Sequence, residues 1–305
     1  MSKYLDPKVD LTFKKVFGEH KNLVISLLNS LLPLPKNHII ESIEYLSPEQ
    51  IPENPGKKYS IVDVKCKDNY DRYFIVEMQT YWNSAYFYRT LYNVTKLYSS
   101  QLETAEQFDQ LHNVYALSIV DVNKIPEFKD YDEYIQTYFI TNNNHIEDKK
   151  DAIVMSFVDI RKYKPITHGE KLLKDLWLQF FTQINEATEI VDQAMLNNKD
   201  ISQALEILKR SAYTDAEIAY YEKSRLNQIT ERSALKVERE VGREEGRLEG
   251  RMEGRKEGKE EGRLEEKIDN IKALMKNMNL DFDTVVKVLN IPKDYIEKLR
   301  SFINE

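Results

Sequence analysis

The sequence predicts an α/β fold with a helical C-terminal extension. Runs of β-branched and aromatic residues recur between residues 39 and 160, and helical patterns lie before and between them. From residue 169 to about residue 240 the spacing of apolar residues is helical throughout. The chain has 305 residues and 41% hydrophobic content, so it is long enough to bury a substantial core.

The N-terminal part predicts two helices followed by a short strand. Apolar residues between positions 11 and 32 recur at helical spacing, with Asp10 as an N-cap and Gly18 as a break. A proline-rich stretch then contains one strand candidate, residues 39–46.

The central part predicts a hairpin, a helix and further strands. YSIVDVKCK (59–67) and RYFIVEMQT (72–80) are β-rich runs separated by DNYD, which has the composition of a turn. Aromatic residues at three- and four-residue spacing predict a helix over 81–102, and we interpret this stripe as a core face rather than a base-stacking surface. Three more apolar runs predict strands, at 113–122, 134–141 and 152–160.

Composition excludes several classes of protein. The single cysteine, Cys66, excludes an intramolecular disulfide framework and is expected to be a buried, inert thiol. The five histidines lack metal-ligand spacing, so no zinc site is predicted. No run approaches about 18 consecutive apolar residues, and the N-terminus is polar, which favours a cytoplasmic protein without a membrane span. The net charge of −7 means that any nucleic-acid binding must use a local basic patch.

Two polar residues interrupt the second run of the hairpin, and one interrupts the first. Side chains alternate along a strand, so Glu77 and Gln79 share a face. A turn at 68–71 places Asp63 opposite either Val76 or Glu77, and a one-residue slip decides between the two registers.

Two adjacent carboxylates repel one another, and a divalent cation removes that conflict by binding oxygens from both. Asp63 and Glu77 are therefore candidate metal ligands, with the backbone carbonyl of Met78 as a third oxygen. The Gln79 amide is a candidate for orienting a water molecule or a phosphate oxygen. The alternative is that these side chains are solvent-facing residues of a half-exposed sheet.

Taken together, these motifs resemble the PD-(D/E)XK nuclease family transposases, the Rpn-like recombination-promoting nucleases. IVDVKCKD, a turn, YFIVEMQT and an aromatic helix follow the order of that family, and residues 10–18 are similar to its D-x-x-F-K-x-x-F-G element. The resemblance implies a restriction-endonuclease-like (αβββαβ) core. It also implies Mg²⁺, with Mn²⁺ as a possible substitute, and no small-molecule cofactor.

The resemblance implies roles for individual residues. Asp63 matches the metal-binding aspartate, Glu77 the second acidic position, and Gln79 the position at which the wider superfamily usually has Lys. Asp10 is a further candidate catalytic residue, although helix capping explains it equally well. The basic residues that are candidates for contacting DNA phosphates are Lys14, Lys15 and Arg89.

The expected domain organisation is a nuclease-like core (1–165), a helical extension (166–240), a Gly/Arg/Glu-rich repeat (241–267) and a small helical tail (268–305). The repeat contains six of the nine glycines, spaced four residues apart. Each glycine costs a helix about 0.8–1 kcal/mol relative to alanine. The repeat is therefore either a solvated linker or a helix that forms on self-association. In the tail, three short helices are predicted (268–278, 282–289 and 292–303), Asp281 or Asp283 is a candidate cap, and a helix-turn-helix is one interpretation.

The leading functional prediction is a metal-dependent DNA endonuclease linked to recombination, mobile elements or phage defence. The alternative is a catalytically weak or inactive nuclease fold that acts as an oligomerising DNA-binding or regulatory module. An RNA nuclease is a third possibility, because the same metal chemistry hydrolyses either backbone.

Overall fold

The computed structural model describes residues 3–50, 60–102, 107–122, 125–165, 172–291, 296–297 and 299–300. The chain divides into two compact units, Met1–Arg232 and Ser233–Glu305. Within the described residues, no helix combines the length and the apolar character needed to cross a membrane.

The first unit is built on a mixed sheet. Its strands are β1 (Ile43–Tyr45), β4 (Val64–Asp68), β5 (Tyr73–Gln79), β6 (Val114–Val120), β7 (Ile135–Asn142) and β8 (His145–Asp159). Their spatial order is β1-β4-β5-β6-β8-β7, with β5, β6 and β8 parallel and the other pairs antiparallel. A separate antiparallel pair is formed by β2 (Glu49–Gln50) and β3 (Ser60–Ile61).

Helices cover both faces of this sheet. One face packs against α1 (Asp10–Phe17), α2 (Lys21–Leu31), α4 (Leu173–Gln183) and α6 (Lys199–Ile207), and the other face packs against α3 (Ala85–Ser99). The short helix α5 (Gln193–Asn197) precedes α6. Burial on both faces explains why every residue of the apolar run in β6 is buried. The predicted α/β fold with a restriction-endonuclease-like core and a helical C-terminal part is confirmed.

The N-terminal prediction is confirmed in outline and wrong in one detail. Gly18 separates α1 from α2 as expected, but Val9 occupies the N-cap position and Asp10 is the first helical residue. There its carboxylate forms an ion pair with Lys14 one turn later, at 2.7 Å. A negative charge in the first turn is favourable to the helix, which explains the position without a capping hydrogen bond.

Two predicted strands are shorter in the structure. The candidate at 39–46 forms a ladder only over Ile43–Tyr45, because the Asn29 side chain hydrogen-bonds the backbone N–H and C=O of Ile40 instead. The run 59–67 is interrupted between Ile61 and Val64, and Asp63 lies in that interruption. Tyr59 lies outside the described residues.

The later strands are confirmed, and β8 is longer than predicted. Its first half, His145–Asp151, is polar and largely exposed, so the sequence carries no apolar pattern there. Tertiary pairing with β7 forms that part of the strand. The aromatic residues of α4 are buried as expected, with Trp177 packed against Phe17.

The long helix α7 (Asp215–Met278) contains the glycine repeat, and α8 (Phe282–Val288) follows it. The predicted helix 268–278 is the end of α7, and Asp281 caps α8 by accepting the Thr284 N–H at 2.8 Å. Most of the third predicted helix, 292–303, lies outside the described residues. The predicted boundaries near 165, 240 and 267 stay predictions, although α4 and α6 contribute to the core of the first unit.

Candidate active site

The register of the β4–β5 hairpin decides which residues come together. Val64 pairs with Val76, so the next position places Asp63 beside Glu77. The turn that sets this register is held by Asp68, whose carboxylate accepts the backbone N–H of Arg72 (2.9 Å) and pairs with its guanidinium (2.6 Å). This buried pair therefore stabilises the register that brings the two site carboxylates together.

Just beyond the point where the backbone ladder between β4 and β5 ends, the side chain of Asp63 replaces the backbone as the hydrogen-bond partner of β5. Its Oδ2 accepts the Met78 N–H at 2.8 Å. On the opposite edge, the Gln79 carbonyl accepts the Asp121 N–H at 2.8 Å. Because the N–H and C=O of one strand residue point to the same side, the Met78 carbonyl points to the edge that carries Asp63. The Asp63 carboxylate and the Met78 carbonyl thus lie on the same side of β5, just beyond the end of its ladder with β4, and Glu77 is the strand residue before Met78.

Glu77 is buried, with 5% of its surface exposed, and faces α3. The Tyr86 hydroxyl donates to Glu77 Oε2 at 3.1 Å and also lies 3.0 Å from the hydroxyl of Ser118. Ser118 is the residue of β6 that lies opposite Glu77 in the parallel pairing of β5 and β6. Sequence reasoning missed Tyr86 and Ser118. The available signal was a serine inside the apolar run of β6, at the same level as Glu77.

Both carboxyl groups hold their protons more tightly than usual. Burial is the main cause that raises the pKa of Glu77 to about 7, and the nearby charge of Asp63 adds to it. Burial likewise raises the pKa of Asp63 to about 6, with a further contribution from Asp10 and an opposing one from the Met78 N–H. Two adjacent carboxyl groups that resist ionisation are a site where a cation would be stabilising.

Gln79 is buried, and both the nitrogen and the oxygen of its amide form hydrogen bonds within the protein. Its Nε2 donates to the Tyr81 carbonyl at 2.7 Å, and its Oε1 accepts from Arg89 Nη2 at 3.0 Å. The same Arg89 nitrogen lies 3.9 Å from Glu77 Oε2, and the guanidinium lies over the Tyr86 ring. Arg89 therefore brings a positive charge to the position next to Gln79.

Among the other predicted residues, Asp10 and Lys14 lie near enough for their charges to act on this cluster, whereas Lys15 pairs elsewhere. The charges of Asp10 and Lys14 act on the Asp63 carboxyl from α1. Lys15 Nζ instead pairs with Glu217 at 2.6 Å and lies over the Tyr213 ring. Its ammonium thus connects α1 to the start of α7 rather than facing Asp63.

A second buried carboxylate, Asp121, follows β6 and differs in its electrostatics. Lys8, Arg161 and Arg232 surround it, and their charges hold its pKa below the usual value even though burial opposes them. Its charge is thus compensated within the protein, whereas the charges of Lys14 and Arg89 do not offset the effect of burial on Asp63 and Glu77. The contrast identifies Asp63 and Glu77 as the functional candidates.

The family model of the PD-(D/E)XK nuclease family transposases matches residues 7–238. The match includes the hairpin, α3 and every residue of the cluster. Neither a curated protein nor a solved structure matches the chain. The chain belongs to the PD-(D/E)XK nuclease family transposases.

Proposed function

From this family membership, we propose that the protein is a metal-dependent DNA endonuclease that hydrolyses phosphodiester bonds. The observation that carries the proposal is the pair Asp63 and Glu77, two adjacent carboxyl groups with raised pKa values at the end of the β4–β5 ladder, where the Met78 carbonyl also lies. Links to recombination, mobile elements or phage defence belong to the same proposal.

The donor set fits a hard divalent cation. No group of three or more His, Cys, Asp and Glu side chains in the described ranges is arranged to hold a metal. The proposed site therefore has two carboxylates and one backbone carbonyl, with water completing the coordination, as Mg²⁺ commonly accepts. Mn²⁺ suits the same oxygen ligands. The bound ion would lower the pKa of a water molecule and neutralise charge on the phosphate.

The residues of the chain contribute positioning and charge. Asp63 and Glu77 must both be ionised to hold the ion, so metal binding would release the protons that remain on the two carboxyl groups, and more protons as the pH falls below their raised pKa values. Gln79 takes a positioning role, because its amide holds the Tyr81 carbonyl and the Arg89 guanidinium. Arg89 in turn supplies the positive charge that the superfamily usually places on Lys at the Gln79 position.

A plasmid-nicking assay tests the proposal. Wild-type protein is expected to nick supercoiled DNA with Mg²⁺ or Mn²⁺ and not with EDTA, and Asp63→Ala to lose at least about 100-fold of that rate, since it removes a metal ligand. Glu44→Gln, an exposed carboxylate on β1, is the matched control and is expected to nick as wild type does. If Asp63→Ala and wild type nick equally, or neither nicks, the enzyme proposal fails.

The second candidate is an oligomerising DNA-binding or regulatory module, and the glycine repeat favours it. Apart from the helix's own backbone, a Cβ added at any repeat glycine would meet no described atom within 4 Å, so no other described part of the chain covers these glycines. Self-association through the repeat is compatible with either function. A catalytically silent wild type that forms oligomers and binds DNA would support this candidate over the enzyme.

A further inference from the structure

Helix α3 has an inner and an outer face, and the outer face extends the candidate active site. The expectation that its aromatic stripe forms core is confirmed for Tyr86 and Phe87, which pack with Phe157. It is wrong for Tyr88 and Tyr92, which are 69% and 36% exposed. Two tyrosines one turn apart thus project outward from the helix that also carries Arg89.

The outer face combines these rings with positive charge. At 100° per residue, positions 88, 89, 92 and 96 lie within about 100° of the helix circumference. Lys96 Nζ lies 5.7 Å from the centre of the Tyr92 ring, and Arg89 contacts Gln79. From Arg89 to Lys96 the face extends about 10 Å along the axis. It therefore leads directly away from the active-site cluster.

Lys65 adds a second ammonium group beside Lys96. Lys65 pairs with Ile75, whose side chain packs on the α3 side of the sheet, so Lys65 points to that side as well. The charge of Lys96 acts on the Lys65 ammonium, so the two groups lie near one another. Within the described part of the chain, the Lys65 ammonium has no ion-pair or hydrogen-bond partner. Lys65 therefore adds an uncompensated positive charge to the side of the sheet on which α3 lies.

Resting on the proposed nuclease function, we propose that Tyr88, Tyr92, Lys96 and Lys65 form a binding surface for one unpaired DNA strand, which enters the active site at Arg89. Bases stack on the two exposed rings, and phosphates lie against the two ammonium groups. Unpaired bases are required, because a ring that projects from a helix can stack only on a base face that a duplex keeps covered. The overall charge of −7 makes such a local patch necessary for binding a polyanion.

The test measures binding rather than cleavage, in EDTA, with the full chain. Fluorescence anisotropy measures the binding of three labelled ligands: a (dT)₁₂ strand, a 12-base-pair duplex and r(U)₁₂. Each ligand is titrated with wild type and with two double variants, Tyr88→Ala/Tyr92→Ala and Tyr88→Phe/Tyr92→Phe. Loss of stacking is expected to weaken (dT)₁₂ binding at least about 10-fold in the Ala variant. The Phe variant keeps both rings and is expected to remain within about 3-fold of wild type.

The proposal is overturned if the Ala variant binds (dT)₁₂ as tightly as wild type does. It is also overturned if the Ala variant loses as much affinity for the duplex as for the single strand, or if wild type binds r(U)₁₂ more tightly than (dT)₁₂. Far-UV circular dichroism checks that both variants fold, which is expected because the two rings are exposed. The nicking assay with Asp63→Ala is separate, so a failed nuclease proposal and a failed strand-binding surface are distinguishable.

Discussion

Replacing Glu77 with Gln is expected to stabilise the metal-free protein at high pH. The change keeps the size of the side chain and an acceptor for the Tyr86 hydroxyl, and it removes the charge. Burial and the charge of Asp63 raise the pKa of Glu77 from 4.5 to about 7. At 1.36 kcal/mol per unit, that difference corresponds to about 3 kcal/mol as an upper value.

The sign follows from proton binding. Between about pH 4.5 and pH 7, the folded protein binds more protons at Glu77 than the unfolded chain does, so the free energy of unfolding falls as the pH rises through this window. Above about pH 7 the full destabilisation is present in the wild type and absent in Glu77→Gln. At pH 8 the variant is therefore expected to be more stable by about 1–3 kcal/mol, and below pH 4.5 the difference should disappear.

Urea unfolding in EDTA at pH 4.5 and pH 8 measures this, followed by tryptophan fluorescence. Trp82 and Trp177 are both buried in the first unit, so their emission reports the unfolding of the part that contains the site. The control is Glu44→Gln, which removes an exposed carboxylate. If Glu77→Gln is no more stable than wild type at pH 8, the charge of Glu77 does not destabilise the fold and the reasoning is refuted.

Three further predictions follow from the site and the repeat. Arg89→Ala should lower the nicking rate about 10- to 100-fold. Arg89→Lys should lower it by less, because Lys keeps the positive charge beside Gln79. Equal losses in the two variants would contradict the proposal that the charge of Arg89 supports catalysis. Lys14→Gln should weaken DNA binding, measured by anisotropy, because the charge of Lys14 acts at the candidate site. Lys15→Gln should leave DNA binding unchanged, because Lys15 pairs with Glu217. A larger loss in Lys15→Gln than in Lys14→Gln would contradict the placement of the two lysines. Gly250→Ala/Gly254→Ala should raise the helicity of the repeat, since each alanine favours a helix by about 0.8–1 kcal/mol. The same change should weaken self-association in sedimentation experiments if the glycines allow close approach, and unchanged sedimentation would exclude that contact.

Much of the fold was predictable because local patterns and burial agree. The order of helices and strands from α1 to β8 follows apolar periodicity, and the glycine break and the Asp281 cap follow local backbone chemistry. The misses have tertiary causes. Asn29 replaces a strand partner for Ile40, and pairing with β7 extends β8 through polar residues. The periodicity of a single segment cannot detect either effect, because each depends on hydrogen bonds to another segment.

The candidate site, like the fold, was predictable from the sequence only in part. The sequence identified Asp63, Glu77 and Gln79 as polar residues in apolar strands, but it left two registers open. Asp68 and Arg72 stabilise the turn that selects one of them. The surroundings of these side chains come from elements distant in sequence or from helix packing, so no local motif predicts them.

By itself, the sequence determined the α/β class, the order of the elements and the residue types of a candidate metal site, because these depend on local periodicity and on side-chain chemistry. Tertiary structure alone decided that Asp63 lies beside Glu77, that burial raises the pKa of both carboxyl groups, and that Gln79 binds Arg89. It also decided that Tyr88 and Tyr92 project from α3 while Tyr86 turns inward. The physical reason is that burial and charge act through space, and the packing of α1, α3 and β6 around β5 sets both.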